Sequence, residues 1–324
     1  MSTETLTTSA STPDQIHGPG VLLAVDFGGT KVESGLVDET GALLIGSRFR
    51  QPTGRDRSSD ELRDAVVSVV TSTLQQLPEG TALLGIGIGA AGPIDRERGR
   101  VSPVNLPAWR DFALRDTVAA TTRDLGHDAP VKLRLDGLCI TLAEHWVGAG
   151  RGTDNMMGMI VSTGVGGGVV SGGAVVDGFS GNAGHIGQLE VPGFTDVDAP
   201  CTLEEIASGP HTVAWAQARG FEGETGEDLA AAYAEKDRIA VAAVTRSGTA
   251  IGRAIASVST LLDLEVVVIG GGFSLVTPDL FDIIRTAIDR YSRFDYARRV
   301  EVRPTGLDTD GPLIGAAALV YRSV

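Results

Sequence analysis

"VLLAVDFGGTKVESGLVDETGALLIGSR", residues 21–48, decides the fold. Val21 to Asp26 is an apolar run of strand length, Gly28 and Gly29 make a tight turn, Lys31 to Asp38 reads as a returning strand, and "DETG" turns the chain into a third. The glycines thus lie between two strands. A dinucleotide fold places them between a strand and a helix, and neither G-x-G-x-x-G nor G-x-x-x-x-G-K-[ST] is present in register. A glycine-rich hairpin lets backbone N–H groups approach an anion with no Cβ in the way. In that reading Gly28 and Gly29 cradle phosphate, Thr30 donates to a phosphate oxygen, Lys31 adds a cation and Asp26 stands near a magnesium ion. A plain hairpin whose glycines serve only a positive φ fits the same residues.

The pattern recurs. "MGMIVSTGVGGGVVSGGAVVDG", residues 157–178, again reads strand, glycine turn, strand, turn, strand, with Thr163 as the polar residue beside Gly164, Gly166 and Gly167. Two such copies imply a duplicated unit. Between them, "SSDELRDAVVSVVTSTLQQL" is a helix with Ser59 as N-cap, and "LLGIGIGAAGPID" is a buried strand running into glycines. Beyond the second copy come an apolar helix near 237–262, a strand "EVVVIGGG" carrying Gly271 and Gly272, a helix after Pro278 and a closing apolar helix from 311. Alternating strands and helices define an α/β protein with covered sheets.

Bulk properties narrow the function. Of 324 residues 42% are hydrophobic and 21% charged, as in globular proteins, and the net charge of −14 disfavours nucleic acid. Two cysteines, Cys139 and Cys201, suit a reducing cytoplasm. No segment reaches the ~18 apolar residues of a membrane span. Residues 1–20 are Ser/Thr-rich, without an apolar core, and read as a disordered tail.

"VKLRL" at 131–135 is a strand, and Asp136 opens the helix that continues through Leu142 and Trp146. A carboxylate at such a junction faces the cleft at the sheet edge, where it can take a proton from a substrate hydroxyl; an ordinary N-cap accounts for the same residue.

"DFGGTKVESGLVD", "GIGAAGPID", "VNLPAW", "LDGLCITLAEHWVGAGRG", "STGVGGGVV", "NAGHIGQLEV", "CTLEEIASG" and "VVIGGG", in this order from residue 21 onward, resemble the ROK family of repressors, open reading frames and sugar kinases. The resemblance implies an actin-like (ribonuclease H-like) duplicated two-domain fold with a cleft. It further implies a kinase of the glucokinase or N-acetylmannosamine kinase type, using ATP and Mg2+ on a sugar, with Asp136 as base. Residues 21–125, completed by helix 311–324, would form the small domain and 126–310 the large one. Gly271 and Gly272 would pack near the adenosine, and Gly92, Asn105, His185, Gln188 and Glu204 would line the sugar site. A homodimer, with no nucleic acid or membrane partner, is the implied assembly.

Two departures stand out. Where the family writes Asn-Asp-Ala-Asn, this chain has Leu135, Asp136, Gly137 and Leu138. Leu135 cannot bond a sugar hydroxyl, and one buried against it unpaired loses ~1–3 kcal/mol, which weighs against plain glucose. A modified acceptor, such as the aminosugar kanosamine or a seven-carbon cyclitol, is the alternative within kinases; a non-catalytic sugar sensor and a structural partner in an oligomer are alternatives outside them. The family's zinc motif is degenerate: His185 stands where the family has Glu or His, Gln188 where it has the zinc-binding histidine, and Cys201 is the one cysteine where it has three. Tetrahedral zinc needs about four ligands, so no zinc is expected. Thr202 and Glu205 instead form a capping box. ATP and polyphosphate both remain open as donors.

Overall fold

The computed structural model describes residues 20–104, 106–194 and 201–321. The expected tail at 1–20 lies outside the described residues except for Gly20, where the first strand begins. Strands β1 (Gly20–Phe27), β2 (Lys31–Val37), β3 (Phe49–Pro52), β4 (Ala82–Ala90) and β7 (Val131–Leu135) form one sheet in the order β3-β2-β1-β4-β7. Strands β8 (Met156–Val161), β9 (Val165–Ser171), β10 (Ala174–Val175), β11 (Val266–Gly270) and β12 (Glu301–Pro304) form the other in the order β10-β9-β8-β11-β12. The two orders are the same permutation, with antiparallel hairpins on one side and parallel crossovers on the other. The duplication read from the glycine turns is therefore a duplication of topology. A two-stranded hairpin, β5 (Ile94–Asp95) and β6 (Arg100–Val101), projects from the end of β4.

Helices cover both sheets. α1 (Ser59–Leu74) and α2 (Leu114–Asp124) belong to the first unit; α4 (Leu203–Ala207), α5 (Gly209–Gln217), α6 (Gly226–Ala234), α7 (Arg238–Leu262), α8 (Leu280–Tyr291) and α9 (Asp295–Arg298) belong to the second. α3 (Asp136–Trp146) and α10 (Gly311–Tyr321) cross between them. α10 returns to the first unit and lays Leu313, Ala316, Ala317 and Val320 on Leu22, Ala24 and Val37. Close packing there is set by small residues. A Cβ on Gly87 would overlap the Ala316 carbonyl, and one on Gly315 would overlap the Cys139 carbonyl on α3.

Three sequence expectations shift. α1 is capped by Ser58, not Ser59, because Glu61 sits three residues after Ser58 and completes a reciprocal box: Ser58 Oγ accepts the Glu61 N–H while Glu61 accepts the Ser58 N–H. The strand expected straight after "DETG" is reduced to a bridge between Val37 and Leu43; β3 begins only at Phe49, after Gly46 takes a φ of 81°. The unit boundary expected after residue 125 falls later, since Ile86–Ala90 pair with Val131–Leu135 and make β7 the edge of the first sheet. Among the described residues no helix is long and apolar enough to cross a membrane.

Candidate active site

Asp136 is the first residue of α3 and follows directly on β7. The helix end it occupies is driven against the second sheet: a Cβ on Gly137 would lie 2.7 Å from the backbone N and O of Gly167 in β9. Only glycine permits that approach, and it brings the edge of one sheet to the hairpin of the other. Asp136 is not the N-cap. Leu135 holds that position and makes no side-chain cap bond, while Asp136 Oδ1 accepts the Gly137 N–H at 2.7 Å. Burial pushes the Asp136 carboxyl up to about 6, against the lowering effect of that hydrogen bond.

Asp26 sits near the end of β1, only 8% exposed. Among the described residues its carboxylate accepts no hydrogen bond. A Cβ on Gly89 would stand 3.1 Å from Cys139 Sγ and 3.6 Å from Asp26 Oδ1, so these groups converge beneath the first glycine turn. Burial first, and then the charge of Asp136, raise Asp26 to about 7, with Lys31 pulling the other way. Burial and the two carboxylates push the Cys139 thiol well up, leaving it an inert core group. Two buried, mutually repelling carboxylates fit a hydrated divalent cation, which would relieve the repulsion.

The first turn spans residues 28–31. Gly28 N–H is already spent on the Lys31 carbonyl (2.9 Å), and Thr53 ties the turn to β3 by bonding the Gly28 and Thr30 carbonyls. Lys31 is also engaged: its ammonium bonds Glu33 at 2.7 Å. Glu33 is fully buried and is shared with Arg48 and Arg50. Burial raises its pKa, but the bonds from Lys31 and Arg48 outweigh this and leave it lowered. The second turn, residues 162–164, is one residue shorter, so Thr163 lies in the turn whereas Asp26 lies on its strand; the two polar residues are not equivalent.

The glycines of these turns are not there for a positive φ, since Gly28, Gly164, Gly166 and Gly167 all lie outside that region. Gly167 serves the packing of α3 described above. Gly166 is different. It shares a face of β9 with Gly168, whose Cβ would strike Leu138 of α3; yet a Cβ on Gly166 would meet nothing within 4 Å. The helix covers one position and stops short of the next, leaving bare backbone open beside Asp136. Behind the second turn, Gly209 N–H at the start of α5 bonds the Ser162 carbonyl (2.9 Å). Gly271, with φ 95°, backs onto the Val161 carbonyl, so the Gly271–Gly272 corner adjoins the same turn.

On the other flank, a Cβ on Gly92 would lie 2.5 Å from Leu135 Cδ2 and 3.3 Å from His185 Cε1, bringing Gly92, Leu135 and His185 together one residue from Asp136. Burial lowers the His185 pKa and the Glu204 charge partly restores it. Neither ring nitrogen of His185 is hydrogen-bonded among the described residues. Glu204 Oε2 accepts the Val165 N–H at 2.8 Å, which plants this carboxylate under the second turn. Gln188 is exposed on the short 3-10 turn Ile186–Gln188, its N–H on the His185 carbonyl. Asn105 lies outside the described residues. Thr202 and Glu205 form the expected reciprocal cap of α4. Cys201 is buried in the second unit's core, and among the described residues no three His, Cys, Asp or Glu side chains gather as a metal site.

Sequence reading missed the ion cluster of Asp177 with Arg134 and Arg96, the Glu33 cluster, and the contact of Glu144 with Thr305 across the α3–β12 junction. Only Glu33 had a local signal, two residues from Lys31 on one face of a strand.

This arrangement of two like sheets, two hairpin turns and a carboxylate between them is the actin-like duplicated fold with its cleft. Residues 22–323 match the ROK family, and the chain belongs to it. It is 30% identical to a glucokinase of Thermotoga maritima over 94% of this chain and 98% of that one. It is 31% identical to an N-acetylmannosamine kinase of Yersinia pseudotuberculosis over 93% and 99%. A ROK family glucokinase from Streptomyces griseus, solved in complex with glucose and AMPPNP, superposes with a TM-score of 0.77 at 27% identity over 94% of this chain and all (100%) of that one.

Proposed function

We propose that this chain is an ATP- and Mg2+-dependent kinase that phosphorylates a primary hydroxyl of a hexose or hexose-like acceptor without zinc. The observation that carries this reading is Asp136, a carboxylate raised to about 6 at the meeting point of both sheets. It is basic enough to take a hydroxyl proton and largely ionised at neutral pH. Backbone at Gly29, Thr30, Thr163, Gly164 and Gly166 holds phosphates; Gly28 and Gly167 shape the turns rather than donate. Gly271 and Gly272 border the adenosine. Asp26 holds magnesium through water, which when bound neutralises phosphate charge. His185 and Glu204 hold the acceptor over Gly92, with Asn105 and Gln188 at its rim. The relatives' names, and the glucose and AMPPNP bound to the Streptomyces griseus enzyme, support the donor and acceptor classes. The implied homodimer is part of the same proposal.

A second reading, a modified acceptor such as kanosamine or a C7-cyclitol, is favoured by Leu135, which is 2% exposed and packed over Gly92 beside His185. That wall offers no hydrogen bond to a hydroxyl. ADP release measured over glucose, N-acetylmannosamine, kanosamine and C7-cyclitols separates the readings: the best kcat/KM identifies the acceptor, and no turnover with any of them refutes the kinase.

Zinc independence has its own test. Thr202→Ala should cost about 1 kcal/mol by removing the α4 cap, read by denaturant unfolding. Zinc chelation should change neither the midpoint nor the activity at fixed Mg2+; a fall in either shows that a metal staples this segment.

A further inference from the structure

The segment that carries His185 is tied to the first unit at two points. Asn182 Oδ1 accepts the Ile94 N–H at 2.9 Å, and Asn182 Nδ2 donates to the Ile94 carbonyl at 2.8 Å. Both faces of one side-chain amide are thus satisfied by a single residue's backbone. That residue follows Gly92 by two positions and is anchored in the first unit's core. Five residues earlier, Asp177 receives Arg134 Nε and Nη2 at 2.9 and 3.0 Å, and Arg96 Nη1 at 2.6 Å. Arg134 lies on β7, two residues before Asp136, and Arg96 follows Ile94 by two. Both ties cross from the second unit's loop to the first unit's walls.

The chain between them is held by a few local contacts: Asn182 Nδ2 also donates to Ser180 Oγ at 3.2 Å, the Ala183 N–H bonds the Asp177 carbonyl at 3.3 Å, and Gly181 lies against Arg96. Residues 178–181 include two positive-φ glycines, Gly178 and Gly181, and Phe179 stands fully exposed. Beyond Asn182, Gly184 is pressed on the backbone of Gly167 and Gly168. His185 therefore projects from a short span held by Asn182 on one side and by β9 on the other, and its ring stands over Gly92 with no hydrogen bond of its own among the described residues.

We propose that Asn182 is a positioning residue for the acceptor: by gripping both backbone groups of Ile94 it sets where the His185 ring stands relative to Gly92 and Asp136, with Asp177 and its two arginines as the second tie. This rests on the reading of the cleft as a kinase acceptor site. Losing the amide frees the Asn182 end of the span to swing, while the Gly184 contact with Gly167 and Gly168 keeps its other end seated on β9.

The experiment is a double-mutant cycle with Asn182→Ala and His185→Ala. Asn182→Ala should raise the acceptor KM about tenfold, the usual scale for losing a paired polar contact, with the KM for ATP within twofold of the parent. The double variant should lose no more than His185→Ala alone, because Asn182 acts through that ring. Asn182→Asp, which can still accept the Ile94 N–H but not donate to its carbonyl, should fall between; it carries the test if the alanine variant does not fold. Calorimetric titration of acceptor into the ATP-free protein reads the same losses without turnover. An acceptor KM and affinity within twofold of the parent in the variants, or single losses that multiply in the double variant, overturns the positioning role. A parent protein that binds acceptor but phosphorylates nothing overturns the kinase reading instead and leaves the titration to decide on Asn182.

Discussion

Asp136→Asn removes the carboxylate proposed to accept the hydroxyl proton, and kcat should fall by about 10²- to 10⁴-fold while the KM for ATP changes little. The same substitution should stabilise the protein. A carboxyl whose pKa rises on folding, as both Asp26 and Asp136 do, binds its proton more tightly in the native state. The fold therefore loses stability as pH climbs from the unfolded value of 3.8 through about 6 to 7. A neutral side chain at 136 removes one of these costs and relieves Asp26, so the melting temperature at pH 8 should rise by about 2–4 °C in the absence of Mg2+, and the gain should vanish below pH 4. In the parent enzyme kcat/KM for the acceptor should increase with pH and level off once the coupled pair has ionised, between about 6 and 7. A variant that melts earlier and loses activity has merely lost its fold. A stable variant with parental turnover shows that another group is the base.

Gly315→Ala should strongly destabilise the protein. On an exposed helix this change is favourable. Here the added carbon would overlap the Cys139 carbonyl, where α10 crosses α3 backbone to backbone. Neither side has a flexible end to yield, so overpacking of about 3 kcal/mol is expected, lowering the melting temperature by roughly 6–12 °C. Gly311→Ala, whose Cβ would find ordinary contacts at 3.6 Å, is the control and should be near neutral. Because α3 begins at Asp136, Gly315→Ala should also depress kcat. An unchanged melting temperature would show that the two helices are not in register as described.

The duplication was legible because glycine turns between apolar strands leave a local mark, and similar marks recur at 21–38 and 157–171. Asp136 was legible for a similar reason, standing where a strand pattern becomes a helix pattern. The capping box of Thr202 with Glu205 is likewise contained within four residues. Long-range pairings leave no such trace. Asn182 meets a partner 88 residues away and Asp177 one 43 away, and nothing in the neighbouring letters specifies either. Lys31 shows a competition of another kind. Its spacing from the glycines suits a phosphate ligand, but a strand puts residues i and i+2 on one face, and the fully buried Glu33 claims the ammonium first. β7 was assigned to the wrong unit because a parallel edge strand reached by a crossover carries no record of which sheet it joins.

The return of α10 to the first unit bears on how the polypeptide is made. The face of β1 and β4 that this helix covers leaves the ribosome more than 200 residues before the helix does. At ordinary elongation speeds that interval lasts roughly 10–40 s, during which Leu22, Ala24 and Val37 have no lid. The nascent chain should therefore be a client for holding chaperones throughout most of its translation, and a chain interrupted before Gly311 would leave this face of the first sheet permanently uncovered.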